Sequence, residues 1–255
     1  MIRIRNLWKK YGAIPVLKGL NLDVHSGEVL VILGRSGVGK SVLLRHIIGL
    51  EKPDQGTIEV EGIDLTTCGK QEIFKAVRNM GMLFQGSALF DSMTIEENTG
   101  FYLKQHGDPL TKKPFPPEVI RQKVREALAM VGLEGTEKKM PADLSGGMRK
   151  RAGLARLIVY RPSILLYDEP TTGLDPITAQ QITDLIVKTQ NELKGTSIVV
   201  THDIHAALFM ADRIALHKDG KLAYLAEPEV FMKIDDPIIN FLRENLSHMI
   251  RKEKR

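Results

Sequence analysis

The chain has 255 residues, 43% hydrophobic and 26% charged, a balance that supports one large core or one domain with an inserted lobe and excludes a disordered or fibrous protein. Its net charge of +5, from 36 basic and 31 acidic residues, is too small to choose among phosphate, nucleic acid and an anionic membrane as partner, and its one cysteine, Cys68, excludes an internal disulfide. No run approaches the roughly 18 apolar residues of a membrane-spanning helix, and the start Met1-Ile2-Arg3-Ile4-Arg5 lacks a signal-peptide core, so a cytosolic chain is expected.

Taken in chain order, β-rich runs at 2–7 and Val29–Leu33 come first, and Gly34 ends the second just before a glycine-rich loop and an apolar helix over 41–50. After the breakers Pro114, Pro116 and Pro117, the residues Val119, Ile120, Val124, Ala127, Leu128 and Val131 recur at helical spacing, and 86–160 reads as a helical lobe. A strand at 164–167, a helix after Pro176, a β-branched strand at 197–201, a helix from Ile204 and a strand at 214–217 follow. Strands alternating with helices predict a mostly parallel sheet covered on its faces. The basic end Arg251-Lys252-Glu253-Lys254-Arg255 reads as a solvated tail, and no internal repeat is present, so a single unit rather than a fused pair is expected.

Three stretches carry chemistry. Gly34-Arg35-Ser36-Gly37-Val38-Gly39-Lys40-Ser41 fits G-x-x-x-x-G-K-[ST], in which glycines let main-chain N–H groups wrap phosphates at a helix N-terminus. Lys40 is expected to neutralise the β- and γ-phosphates and Ser41 to ligate magnesium. Ile164-Leu165-Leu166-Tyr167-Asp168-Glu169 is a buried strand delivering two carboxylates to its C-terminal edge, Asp168 for the magnesium shell and Glu169 to polarise the attacking water. Leu144-Ser145-Gly146-Gly147-Met148 opens a helix over 149–160; alone, Ser145 followed by glycines is an ordinary N-cap.

In combination and order these stretches resemble the ABC ATPase family, whose signature loop is usually written LSGGQ, with Met148 here in place of the glutamine. The resemblance covers nearly the whole chain. It matches Tyr11 to the aromatic residue stacked on adenine, Gln85 to the glutamine linking the magnesium site to the helical lobe, Asp175 of Gly173-Leu174-Asp175 to the loop after the acidic pair, and His202 to the switch histidine near the γ-phosphate. It implies an α/β fold: a P-loop NTPase core over 1–85 and 161–226 with an antiparallel β subdomain, an inserted α-helical subdomain over 86–160 and a C-terminal helical extension over 227–255. It further implies ATP and Mg2+, and a sandwich homodimer in which Ser145, Gly146 and Gly147 of one copy face the phosphate loop of the other. Catalysis is assigned by resemblance to Glu169, His202 and Gln85, and magnesium to Ser41, Gln85 and Asp168.

Within that family, Phe84-Gln85-Gly86-Ser87-Ala88-Leu89-Phe90, the LSGGM signature with its following basic residues, and Asp236-Pro237-Ile238-Ile239-Asn240-Phe241-Leu242 are similar to the ATPase of Mla/Mce-type lipid transporters. That likeness implies a polytopic membrane permease docking near residues 85–98, an MCE-domain lipid-binding protein, a small cytosolic accessory subunit, no nucleic acid, and a peripheral position on the cytoplasmic face of the inner membrane. Arg35 and the loop Gly173-Leu174-Asp175-Pro176 are departures that bear on cargo and leave the ATP chemistry intact. An amino-acid-type importer ATPase has the same catalytic parts and stands as the alternative. A non-transport ABC protein fits less well, because long coiled-coil insertions and a second nucleotide-binding unit are both absent from the sequence.

Overall fold

The computed structural model describes residues 1–108 and 113–253. Residues 109–112 of the expected helical lobe, and Lys254 and Arg255 of the basic end, lie outside that description. The chain divides into two compact units, one formed by 1–78 and 196–255, the other by 79–195.

The first unit opens with β1 (Ile2–Tyr11) and β2 (Ile14–Val24), an antiparallel hairpin turning at Gly12, followed by β3 (Val29–Leu33), α1 (Lys40–Ile47), β4 (Gln55–Val60), β5 (Ile63–Asp64) and α2 (Lys70–Val77). The second unit contains β6 (Met80–Leu83), α3 (Ile95–His106), α4 (Pro117–Met130), α5 (Gly146–Ile158), β7 (Ile164–Asp168) and α6 (Pro176–Leu193). The chain then returns to the first unit as β8 (Thr196–Thr201), α7 (Ile204–Met210), β9 (Arg213–Lys218), β10 (Lys221–Ala226), α8 (Pro228–Phe231) and α9 (Pro237–Glu253). The basic residues Arg251 and Lys252 therefore continue a helix.

In the first unit the outer sheet runs β2-β1-β4-β5, antiparallel throughout, with Ile2, Ile4 and Leu7 of β1 pointing to the buried face. Strand β3 is parallel to both β8 and β9, every residue of β3 and β8 is buried, and β10 closes the edge of β9 antiparallel. Continuous apolar runs suit strands covered on both faces, where each fully buried Val, Ile or Leu contributes roughly 1.5–3 kcal/mol. Register is pinned at the strand entries: Arg213 makes a bidentate pair with Glu28, at 2.7 and 2.8 Å, and also donates to the Asp23 carbonyl at 2.8 Å.

In the second unit β6 and β7 pair in parallel, Leu83 opposite Tyr167. Helix α4 starts with Pro117 in its first turn and buries Ile120, Val124, Ala127 and Leu128, the face read from the sequence. Helix α3 begins with a capping box between Thr94 and Glu97. Helix α5 lies very close to β6 and the loop after it. A Cβ added at Gly153 would stand 2.9 Å from Leu83 Cδ1 and 3.2 Å from the Ser87 carbonyl, and one at Gly81 only 2.1 Å from Leu157 Cδ1. A methyl group at either position would have to displace neighbouring side-chain atoms.

Among the boundaries that differ from expectation, the helix read over 149–160 runs over Gly146–Ile158, because Ser145 caps it directly. The helix over 41–50 stops at Ile47, because Gly49 takes a left-handed φ of +72° and turns the chain toward the outer sheet. The first strand runs past residue 7 to Tyr11, carried by pairing with β2 that alternation alone did not reveal.

Candidate functional site

The candidate residues fall into two groups, one in each unit. In the first unit, β3 hands over to a loop whose glycines take the conformations a phosphate cradle needs: φ is +81° at Gly37 and +106° at Gly39. A Cβ at Gly39 would meet Val16 Cγ1 at 2.7 Å, whereas at Gly37 nothing lies within 4 Å, so the loop is packed on one side and open on the other. Helix α1 follows with no side-chain cap and no acidic residue in its first turn. A positive helix end beside exposed Arg35, Ser36 and Gly37 fits an anionic ligand. The Lys40 ammonium is 5% exposed and donates to the carbonyls of Gly34 at 2.7 Å and Arg35 at 3.0 Å, folded onto the loop that it is positioned to serve.

Register places the neighbours. Leu33 at the end of β3 pairs with Thr201 of β8 and with Leu216 of β9, so His202 and His217 leave or flank the same end of these strands. His202 is exposed, between the strand end and Asp203, which caps α7 by accepting from the N–H groups of His205 and Ala206 at 2.9 and 3.2 Å. Tyr11 sits at the hairpin tip, 42% exposed, its hydroxyl donating to Glu51 and its ring under Lys9 Nζ at 5.6 Å. Partial burial and Glu51 together raise its phenol above the ordinary value.

In the second unit, Asp168 ends β7 and Glu169 follows with φ at +47°, a left-handed conformation uncommon for a glutamate. Both carboxylates are buried, and that of Glu169 accepts from the Thr172 hydroxyl at 3.1 Å. Gln85 stands two residues beyond Leu83, so it leaves the same end of the paired strands as Glu169. Ser145 caps α5, its hydroxyl accepting from Met148 N–H at 3.3 Å, and Ser145 and Gly146 are exposed. Asp175 caps α6 ahead of Pro176, accepting from Ile177 and Thr178, and the Thr178 hydroxyl at 2.6 Å helps to lower its pKa. Exposed signature residues on a well-capped helix form a presented surface.

The residues expected to meet magnesium, Ser41 in the first unit and Gln85 and Asp168 in the second, each offer an oxygen, the preference of a hard cation. Among the described residues no group of three or more His, Cys, Asp or Glu forms a protein metal cage, and magnesium bound through phosphates and water needs none.

Two buried groups escaped the sequence reading. His217 of β9 is 1% exposed, neither ring nitrogen has a hydrogen-bond partner, and burial together with the nearby Lys40 charge pushes its pKa down to about 4. Its carbonyl is 2.8 Å from where a Cβ at Gly34 would lie, which places it against the phosphate loop. Lys150 of α5 is 6% exposed and donates to the carbonyls of Gln85 and Glu169. One lysine in the basic run Arg149-Lys150-Arg151 gives no hint of partners so far away in sequence.

The family model described as "ABC transporter" matches residues 17–172. The chain is 40% identical over 238 residues, 93% of its length, to the "Probable ribonucleotide transport ATP-binding protein mkl" of Mycobacterium leprae. It spans 65 to 67% of the length of the mycobacterial relatives that it matches. It is 37% identical over 244 residues to the "Intermembrane phospholipid transport system ATP-binding protein MlaF" of Haemophilus influenzae, covering 95% of this chain and 90% of that one. Among solved structures, a dimeric ATP-binding cassette in a post-hydrolysis state bound to ADP and Pi superposes with a TM-score of 0.79 at 34% identity, covering 89% of this chain and 99% of that one.

Proposed function

Because the chain belongs to the ABC transporter family and is an ATPase of that family, we propose that it powers movement of phospholipid between bacterial membranes through a separate permease. The observation that carries the cargo is the likeness to the phospholipid-transport ATPase along nearly the full length of both chains. The segment after Gln85 supports it. That segment borders an open cavity of about 200 Å³ lined in part by Phe84, Ala88, Phe101, Tyr102, Arg156 and Tyr160, an aromatic pocket with one cation suited to a short amphipathic helix of a permease.

In this reading Tyr11 stacks on adenine, and the main chain from Gly34 to Gly39, with Arg35, Ser36 and Val38, wraps the phosphates. Lys40 exchanges its two carbonyl partners for phosphate oxygens, stronger acceptors that carry full charge. Ser41, Asp168 and Gln85 would hold magnesium, which would supply positive charge against the phosphates. Glu169 accepts a proton from the attacking water, and His202 contacts the γ-phosphate from the loop after β8. Ser145, Gly146 and Gly147 present their exposed helix start to the nucleotide of a second copy, so two chains close around two ATP molecules and reopen after hydrolysis. Asp175 sits in the loop that closes this interface. An MCE-domain lipid-binding protein and a small accessory subunit complete the assembly on the inner membrane.

A polar cargo is the second reading, favoured by the name of the mycobacterial relatives, ribonucleotide transport. Gentle solubilisation of membranes from cells carrying a tagged copy, with mass spectrometry of co-purifying proteins and lipids, separates the two. A permease with an MCE-domain protein and enriched phospholipid is expected. A permease with a polar-solute receptor and no enriched lipid would leave the ATPase in place and overturn the cargo.

A further inference from the structure

Lys150 is a buried cation for which the proposed mechanism has no use. It lies on α5, five residues beyond the signature serine Ser145, yet its ammonium reaches two main-chain carbonyls distant in sequence: a short hydrogen bond to Gln85 and a longer one, 3.4 Å, to Glu169. Desolvation lowers its pKa, and the carboxylates of Asp168 and Glu169 act in the opposite direction. A buried cation persists when carbonyl and carboxylate oxygens surround it.

Both carbonyls belong to backbone with reason to move. Glu169 holds a left-handed φ of +47°, and beyond Gln85 the consecutive residues Ser87 and Ala88 are left-handed too, at +65° and +47°. Such conformations persist only when surroundings over-determine them, and α5 supplies that constraint twice, through Lys150 on Gln85 and through Arg156, which donates to the Ala88 carbonyl. The absent side chain at Gly153 lets the same helix sit directly on Ser87. The helix that presents the signature is thereby tied to the two segments that carry Gln85 and Glu169.

We infer that Lys150 is a positioning residue for ATP hydrolysis: by holding the carbonyls of Gln85 and Glu169 to one helix, it fixes the catalytic carboxylate and the magnesium-linking glutamine of its own chain relative to each other. The inference rests on the proposed roles of Gln85 and Glu169. It also gives each chain a physical link between α5, which meets the partner's nucleotide in that reading, and the carboxylate that acts on its own.

The test uses the full chain and Lys150→Met, which keeps length and volume and removes charge and donors. A merely structural lysine predicts a less stable variant, because its carbonyl partners are left without a donor, whose folded fraction keeps full turnover. A positioning lysine predicts a folded variant with Mg-ATP Kd within about threefold of wild type and kcat at least tenfold lower, while Lys150→Arg returns kcat to within about threefold. Should the methionine variant fail to fold, Lys150→Gln compared with Lys150→Arg gives the same reading. Mixed dimers with Glu169→Gln in one chain decide in which chain Lys150 acts. Lys150→Met in the other chain should lower the remaining turnover at least tenfold, and in the Glu169→Gln chain should leave it unchanged. Wild-type kcat in Lys150→Met, parallel loss of binding and turnover, or the reversed mixed-dimer pattern overturns the inference. Undiminished hydrolysis in Glu169→Gln alone would instead overturn the site reading on which it rests.

Discussion

Two buried lysines, one in each unit, are held in contrasting ways. Lys40 donates to carbonyls five and six residues before it, inside a loop that is open at Gly37. Lys150 is bound to carbonyls 65 and 19 residues away, from a helix packed so closely that a methyl group at Gly153 would stand 2.9 Å from Leu83 Cδ1. The first set lies within one loop. The second set is part of the fold. In the proposed reading, recognition of phosphate belongs to Lys40 and alignment of the carboxylate to Lys150.

Breaking the local side of that contrast has the larger effect. Lys40→Ala removes charge-assisted bonds worth about 1.5–3 kcal/mol each, and Mg-ATP affinity should fall about 100-fold in equilibrium binding while the melting temperature changes little. On the fixed side, Gly153→Ala drives a methyl group into Leu83 and Ser87, and should cost about 1–3 kcal/mol in chemical denaturation and lower kcat before it alters Kd. The smallest effect concerns the buried neighbour of the phosphate loop. His217 titrates near 4 in the folded chain against 6.5 unfolded, so the unfolded chain binds the proton first as pH falls. Its stabilising contribution is complete above 6.5 and lost toward 4, amounting to roughly 1 kcal/mol at pH 5.5 relative to neutral pH. His217→Leu should flatten the slope of stability between pH 7 and 5; an unchanged slope would place the acid sensitivity elsewhere.

What the sequence made legible follows from how local each feature is. The phosphate loop was readable because strand, glycines, lysine and helix lie within a dozen consecutive residues, and the structure has β3 ending at Leu33 and α1 beginning at Lys40. Ser145 and Asp175 were readable as helix starts, since a cap is a contact over two or three residues, and both side chains accept from the main-chain N–H groups that such caps serve. The helical face of α4 was readable by its period. Strands β2, β4, β5, β6 and β10 were not, because their residues alternate weakly and their identity comes from partners elsewhere in the chain. His217 occupies a buried strand position where an apolar residue is ordinary, and only its unpartnered nitrogens distinguish it. Lys150 was invisible for a similar reason: a lysine in a basic run reads as solvated until the fold supplies its carbonyls.

The most direct measurement is a paired one on wild type and Glu169→Gln, equilibrium binding of Mg-ATP and steady-state hydrolysis in the same preparations. The account predicts that the variant binds with unchanged affinity and hydrolyses at least about 100-fold more slowly, the loss expected when a general base is removed. Undiminished turnover, or loss of binding in step with turnover, would contradict the assignment of Glu169 as the group that activates water.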